Sequence, residues 1–171
     1  MTLNLIKVYS NLLEIQSLGT KQRTTSLKSI FKRDIEDNTN FKYAGKPIYP
    51  VKKHGYPTME TLFNHLITKE EEGSKTKSRI FDIHRSQRLH WIKHHINNNG
   101  NINIFSHTDR IRGKDTIRTY LFDEGQKYII ILEPRTEGVD LYYLITAYYL
   151  DQKYGEKQIK KKMKNKLPYI Y

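Results

Sequence analysis

Four short runs in the second half of the chain constrain the fold most: Ile102–His107, Thr116–Phe122, Tyr128–Leu132 and Leu141–Leu150. They are rich in β-branched and aromatic residues, the types that suit a pleated, half-buried surface. Arg112-Gly113-Lys114-Asp115, Asp123-Glu124-Gly125 and Glu137-Gly138 separate them. Such short Gly-containing breaks reverse the chain, and Asp-Glu-Gly suggests a tight hairpin. The pattern predicts a four-stranded antiparallel meander. Before it, Arg79 to Asn97 has helical spacing and stops at Asn97-Asn98-Asn99-Gly100-Asn101. After it, Gln152 to Asn165 reads as a Lys-rich helix. Helix, meander, helix is an α+β order.

The first half reads differently. Leu5, Val8, Leu12, Ile15 and Leu18 recur at spacings of three and four, predicting an amphipathic helix from Leu3 to about Leu18 that Gly19-Thr20 ends. Thr24 to Phe31 suggests a second, short helix. Phe41 to Pro57, rich in Gly, Pro, Tyr and Lys, reads as an irregular basic connection. Thr58 is a plausible N-cap for a helical stripe of Met59, Leu62, Phe63, Leu66 and Ile67, which runs out at Glu70-Glu71-Glu72-Gly73. Ser74 to Ser78 reads as a polar hinge. The expectation is a helical arm over residues 1–78, of unassigned role, and a catalytic or binding domain over 79–171.

The 171 residues carry 30 Lys and Arg against 18 Asp and Glu, a net charge of +12. Both halves are basic, so the charge is no detachable tail. A surface this basic attracts polyanions with salt-sensitive affinity. Thirteen Tyr add aromatic faces suited to unstacked bases, and nucleic acid becomes the leading partner. Cys is absent, which excludes disulfide frameworks, thiol nucleophiles and Cys-based zinc sites. No run approaches the roughly 20 apolar residues that span a bilayer. Met1-Thr2-Leu3-Asn4 does not open a signal peptide, so the expected compartment is the cytoplasm, bacterial or phage-associated, although a toxin delivered by a dedicated machine would look the same.

The segment from Arg79 to Ile96 carries the sharpest signal. Drawn as a helix with Arg85 at 0°, Phe81, Leu89, Ile92 and Ile96 fall within about 40° of it. Arg88 lies to one side, with His84, Trp91 and His95 beyond; His90 and His94 point nearly the opposite way. A guanidinium on a core-facing stripe must be paired or must reach a wet cleft. Arg85 is then either a structural residue tied to a carboxylate such as Glu133 or Asp140, or a phosphate-binding residue on the floor of a groove.

Arg79-Ile-Phe-Asp82-x-x-Arg85-x-x-Arg88-x-x-Trp91-Ile, followed by a meander that ends in Tyr142-Tyr143-Leu144-Ile145-Thr146-Ala147-Tyr148-Tyr149, resembles phage-associated nucleases of the Barnase–EndoU–colicin–RelE ribonuclease superfamily. The resemblance covers about residues 79–165. It implies a metal-independent endoribonuclease, of toxin or phage type, that needs no cofactor. The ribose 2′-OH attacks the adjacent phosphate, giving a 2′,3′-cyclic phosphate and a free 5′-OH. The implied substrate is RNA, tRNA among the candidates, and an acidic inhibitor or antitoxin protein is the expected restraint.

That chemistry needs a base, an acid and cations around the phosphorane. Strand alternation supplies candidates independently. Arg118 and Tyr120 share one face of the second strand with Thr116 and Phe122. Tyr142, Leu144, Thr146 and Tyr148 share one face of the last. The working assignment gives the phosphate to Arg85, Arg88 and Arg118, and the proton transfers to His107 or, failing that, His84. Tyr120, Thr146 and Tyr148 orient ribose or phosphate. Arg110, Arg112, Lys114 and Arg135 hold the RNA backbone. No metal ligands are expected.

Two other readings stand beside this one. Arg85-Ser-Gln-Arg-Leu-His90 is Arg, four residues, His, and resembles the motif of HEPN-type ribonucleases, whose domains are helical bundles. The chain could also be a non-catalytic module that stacks single-stranded nucleic acid on a Tyr-rich sheet.

Overall fold

The computed structural model describes residues 2–51, 58–135 and 137–171. The chain is α+β: short helices, a mostly antiparallel sheet of six strands, and a separate two-stranded hairpin. It forms two compact units, Met1–Phe41 with Lys52–His94, and Lys42–Val51 with His95–Tyr171. The division therefore does not fall at 78/79: each unit draws on both halves of the sequence.

In the first unit the predicted N-terminal helix shrinks to a single turn, α1 (Thr2–Leu5). The Asn4 side chain explains the break. Its Oδ1 accepts from Glu14 N at 2.7 Å, and its Nδ2 donates to Glu14 O at 3.1 Å and to Ser26 Oγ at 3.0 Å. A buried amide offering the backbone such partners competes with helical bonding and folds the segment back. Leu13 and Ile15 are buried while Leu5, Val8 and Leu12 stay exposed, so the apolar spacing marks no single face.

α2 (Thr20–Phe31) starts earlier than predicted and continues as a π-helical turn over Lys32–Glu36. There the Asp34 carboxylate is gripped by Arg33 through two bonds of 2.7 Å. α3 (Thr58–Ile67) buries Leu62, Phe63, Leu66 and Ile67, the predicted stripe.

The helix expected over Arg79–Asn97 is broken. β3 (Thr68–Glu70) pairs with β4 (Arg79–Phe81), α4 (Ile83–Ser86) follows, and only after a turn does α5 (Trp91–Asn97) begin. Asp82 sets the boundary. Its Oδ1 accepts from Arg85 N at 3.1 Å, an N-cap bond that fixes the helix start at Ile83. The angular placement of Arg85 on one long helix therefore does not hold.

The second unit is built on the sheet. β1 (Lys42–Tyr43), β2 (Lys46–Pro50), β5 (Asn103–Ile111), β6 (Lys114–Asp123), β7 (Tyr128–Arg135) and β8 (Leu141–Tyr149) lie in the order β1-β2-β8-β7-β6-β5. Only β2 and β8 run parallel. The sheet is thus larger than the expected four strands, and part of the supposedly irregular Phe41–Pro57 stretch forms its far edge; 52–57 lie outside the described residues. The β1–β2 turn is Ala44-Gly45 with φ of 49° and 78°, and the β5–β6 turn is Arg112-Gly113 with φ of 48° and 81°. Two consecutive residues at positive φ give the tight turn whose twist matches the flanking strands, which is why Gly takes the second place.

One face of the sheet packs Phe105, Tyr120, Phe122, Ile129, Ile131 and Leu150 against Ile159 and Met163 of α6 (Lys153–Lys164). Beyond α6 the chain turns along the free edge of β5, where Leu167 N donates to Ser106 O at 2.8 Å. Thr119 Oγ1 then donates to Tyr171 O at 2.7 Å. Covering an edge strand in this way removes a template for unwanted pairing. Among the described residues no helix is long and apolar enough to cross a membrane.

Candidate functional site

Register determines which side chains meet. His107 on β5 pairs with Arg118 on β6. The register that pairs Thr119 with Leu132 sets Arg118 beside Glu133 of β7, and Glu133 pairs with Tyr143 of β8. Cross-strand partners share a face. A lateral row His107–Arg118–Glu133–Tyr143 therefore crosses four strands on the face that also carries Tyr120. Its polar members are partly open: the side chains of His107, Arg118 and Glu133 keep 21%, 18% and 13% of their exposure.

A β-bulge decides the last member. Ile131 pairs with Thr146 but Leu132 pairs with Leu144, so β8 holds one extra residue at Ile145. Strict alternation would have grouped Tyr142 and Leu144 with Thr146 and Tyr148. The bulge instead brings Tyr143 to that face and sends Tyr142 and Leu144 to the other.

Asp109 anchors one end of the row. It is 5% exposed in its side chain and accepts from His107 Nδ1 at 2.8 Å, from Lys162 Nζ at 2.6 Å and from the Tyr120 hydroxyl. Lys162 also donates to the Tyr120 oxygen at 2.8 Å. Burial alone would raise the Asp109 pKa, but the bonds from Lys162, Tyr120 and His107 outweigh it and hold the carboxyl below its usual range. Burial first, and the Asp109 carboxylate second, push the Tyr120 hydroxyl far above the ordinary phenol range, so it stays a neutral donor. With Asp109 ionised, His107 presents Nδ1–H to it, and Nε2 is left for a ligand.

The middle of the row has spare bonding capacity. Arg118 Nε is buried and makes no hydrogen bond among the described residues; the nearest acid oxygen, Glu133 Oε2, lies 3.9 Å away. Glu133 Oε1 is taken by Arg135 at 2.8 Å, and the Arg135 guanidinium lies 5.4 Å from the Tyr143 ring centroid. A partly exposed guanidinium flanked by an imidazole and a carboxylate is able to receive an anionic group, with proton-transfer groups on either side of it.

The structure separates the sequence candidates into groups. His107 and Arg118 lie in the row, and Arg135 beside it. Tyr120, Thr146 and Tyr148 share its face but belong to the packed part: Tyr120 and Thr146 are buried, and Tyr148 packs on the core cluster. Arg110, Arg112 and Lys114 sit at the exposed β5–β6 hairpin, with Arg110 paired to Asp115 at 2.8 Å. Three important groups were missed. Asp109 and Lys162 are 53 residues apart in sequence, and the sequence offers Glu133 only as a carboxylate for Arg85. The signal that could have found Glu133 is its place directly after the apolar run Tyr128–Leu132, on the face of β7 set by alternation.

Arg85, Arg88 and His84 lie in the first unit. Arg85 pairs with Asp82 at 3.5 Å and its Nη1 donates to His65 O at 3.5 Å. The acid that holds it is thus Asp82, three residues before it, and neither Glu133 nor Asp140. Arg88 donates to His84 O at 2.9 Å and lies 5.2 Å from the Trp91 ring; His84 is exposed. Asp82→Ala removes both the cap and the Arg85 partner. It is expected to destabilise the fold by about 1–2 kcal/mol in urea unfolding.

The Arg85/His90 pair of the HEPN-like motif does not share a helix, since α4 ends at Ser86 and α5 begins at Trp91. His90 is 5% exposed, and burial pushes its imidazole down to about 4. The unfolded chain, with His near 6.5, therefore binds more protons than the fold between these values. Stability is expected to fall as pH drops from about 6.5 towards 4 and then to level off, a loss on the order of 3 kcal/mol. His90→Phe flattens that slope in pH-dependent unfolding if this residue is the cause.

Among the described residues no group of three or more His, Asp or Glu side chains could hold a metal ion. Comparison of the chain with protein-family models, curated proteins and solved structures finds no match.

Proposed function

We propose that the second unit is a metal-independent endoribonuclease whose reacting groups are Glu133, Arg118 and His107. The observation that carries this reading is their order, carboxylate, guanidinium, imidazole, on three adjacent strands. At about 4.8 Å per strand spacing, the acid and the histidine stand roughly 10 Å apart across the arginine. That leaves room for one phosphate between them. Arg118, its side chain partly exposed between the two, receives the phosphate oxygens and stays charged throughout.

Transesterification follows from this order. The ribose 2′-oxygen bonds to phosphorus as its proton passes to Glu133 Oε2, the oxygen that Arg135 leaves open. The P–O5′ bond breaks, and O5′ takes the Nε2 proton of the imidazolium form of His107, which is left as the neutral ring with its Nδ1–H on Asp109. Arg118 stabilises the charge that builds on the phosphorane. The products are a 2′,3′-cyclic phosphate and a 5′-OH. Asp109 positions His107 through Nδ1, and Lys162 and Tyr120 position Asp109. Arg85 and Arg88 have no step in this scheme, a change from the sequence assignment that follows from the bonds each makes within its own unit.

The test is cleavage of 5′-labelled RNA in excess EDTA, with end-group analysis, by the protein and by its Glu133→Gln and His107→Ala variants. Cyclic-phosphate ends that disappear in both variants support the proposal. Loss of activity in EDTA, or 5′-phosphate ends, overturns it. Salt-dependent RNA binding without cleavage under any condition selects the non-catalytic module.

A further inference from the structure

The polar row runs on into aromatic side chains. Tyr143 on β8 pairs with Glu133, and Tyr49 on β2 pairs with Tyr143. Side chains paired across neighbouring strands stand on the same face. Tyr49 is 48% exposed and Tyr143 is partly exposed. Two nearby tyrosines behave differently. Tyr142 and Tyr43, on the other face, are both buried and pack edge to face with ring centroids 5.3 Å apart. Core packing thus accounts for Tyr142 and Tyr43 but not for Tyr143 and Tyr49. An open tyrosine pair beside a guanidinium, on a chain of net charge +12, suits a polyanion that carries flat rings.

We propose that Tyr143 and Tyr49 form a stacking platform for unpaired bases, with Arg135 beside the first, and that the substrate class is therefore single-stranded RNA. The proposal rests on the ribonuclease reading of the same face. Tyr143 lies two strand spacings from Arg118 and Tyr49 three, about 10 and 14 Å. A stacked strand rises about 3.4 Å per nucleotide, so bases within about four nucleotides of the scissile phosphate reach the platform. Bases held in a duplex are not free to splay onto such a surface. β2 is then the strand that extends a reactive row into a binding groove.

The experiment uses a fluorescent 2′-O-methyl oligonucleotide, which lacks the attacking hydroxyl and cannot be cut. Its binding is measured by anisotropy, single-stranded and as a duplex. The protein is expected to bind the single strand at least tenfold more tightly. Tyr143→Ala and Tyr49→Ala each weaken that binding about fivefold to a hundredfold, and Tyr143→Phe restores it. Tyr49, half exposed, keeps the test valid should Tyr143→Ala fail to fold. Equal affinity for single strand and duplex, or wild-type affinity in the folded alanine variants, overturns the platform. Tyrosine-dependent binding in a protein that cleaves no RNA overturns the ribonuclease reading and leaves the platform standing. Cleavage indifferent to both tyrosines does the reverse.

Discussion

His107→Ala is expected to lower the rate of RNA cleavage by about 10²–10⁴-fold while leaving affinity for an uncleavable oligonucleotide little changed. The leaving 5′-oxygen departs poorly as an alkoxide, and a positioned proton donor removes that difficulty in the transition state alone. Loss of such a group appears in kcat and not in binding. Glu133→Gln acts on the other proton and has an effect of similar size. Because the two transfers serve one transition state, the double variant is expected to lose far less than the product of the single losses. Arg118→Lys keeps the charge but not the planar fork, and it falls well short of wild type for that reason. Arg85→Ala provides the contrast. Asp82 and the His65 carbonyl are among its partners in the first unit, so it is expected to change stability and leave the chemical step alone. A His107→Ala variant that is folded and cuts at the wild-type rate removes this residue from the mechanism.

The contrast between Arg85 and Arg118 also indicates what a sequence of this kind discloses. The strands over residues 103–149 were legible because β-branched and aromatic residues cluster between short turns, and Arg118 and Tyr120 then fell on one face by simple alternation. Alternation failed on β8, where a one-residue bulge at Ile145 exchanged Tyr142 for Tyr143. Nothing in the run Leu141–Leu150 marks that bulge, since both tyrosines satisfy the local preference equally. The apolar spacing over Arg79–Asn97 is helical, but Asp82, an N-cap near the start of the pattern, outweighs the spacing. β2 escapes a local reading because Gly and Pro ordinarily mark irregular chain. Ala44-Gly45 is in fact a two-residue turn, and Pro47 and Pro50 lie in a strand that pairs with β8 on one side and with the two-residue β1 on the other. Partners such as Asp109 and Lys162 depend on where α6 docks, which no local pattern encodes.

That docking leads to the largest expected change in stability, from Asp109→Ala. The carboxylate is the common acceptor of His107, Lys162 and Tyr120. Its removal takes the acceptor from the hydroxyl of Tyr120, which is 1% exposed, and from the partly exposed Lys162 ammonium and His107 imidazole. Breaking such a network from one side costs about 3–5 kcal/mol, because the groups left behind keep their desolvation penalty and lose their partner. For a chain of this length that corresponds to a fall in Tm of roughly 6–20 °C. The same reasoning predicts a rescue. Adding Lys162→Met and Tyr120→Phe to Asp109→Ala replaces the ammonium and the hydroxyl with apolar groups of similar size and leaves only the partly exposed His107 imidazole without its acceptor, so most of the loss is expected to return. The dependence on pH has a definite sign. A carboxyl held below its usual range stabilises the fold above the unfolded value near 3.9, and that contribution is lost as pH falls through the folded value. Wild type should therefore lose more stability than Asp109→Ala on going from neutral pH to strong acid, and the two melting curves should converge. A loss under 1 kcal/mol at neutral pH, or a triple variant no better than the single one, would show that His107 is positioned by something other than this buried acid.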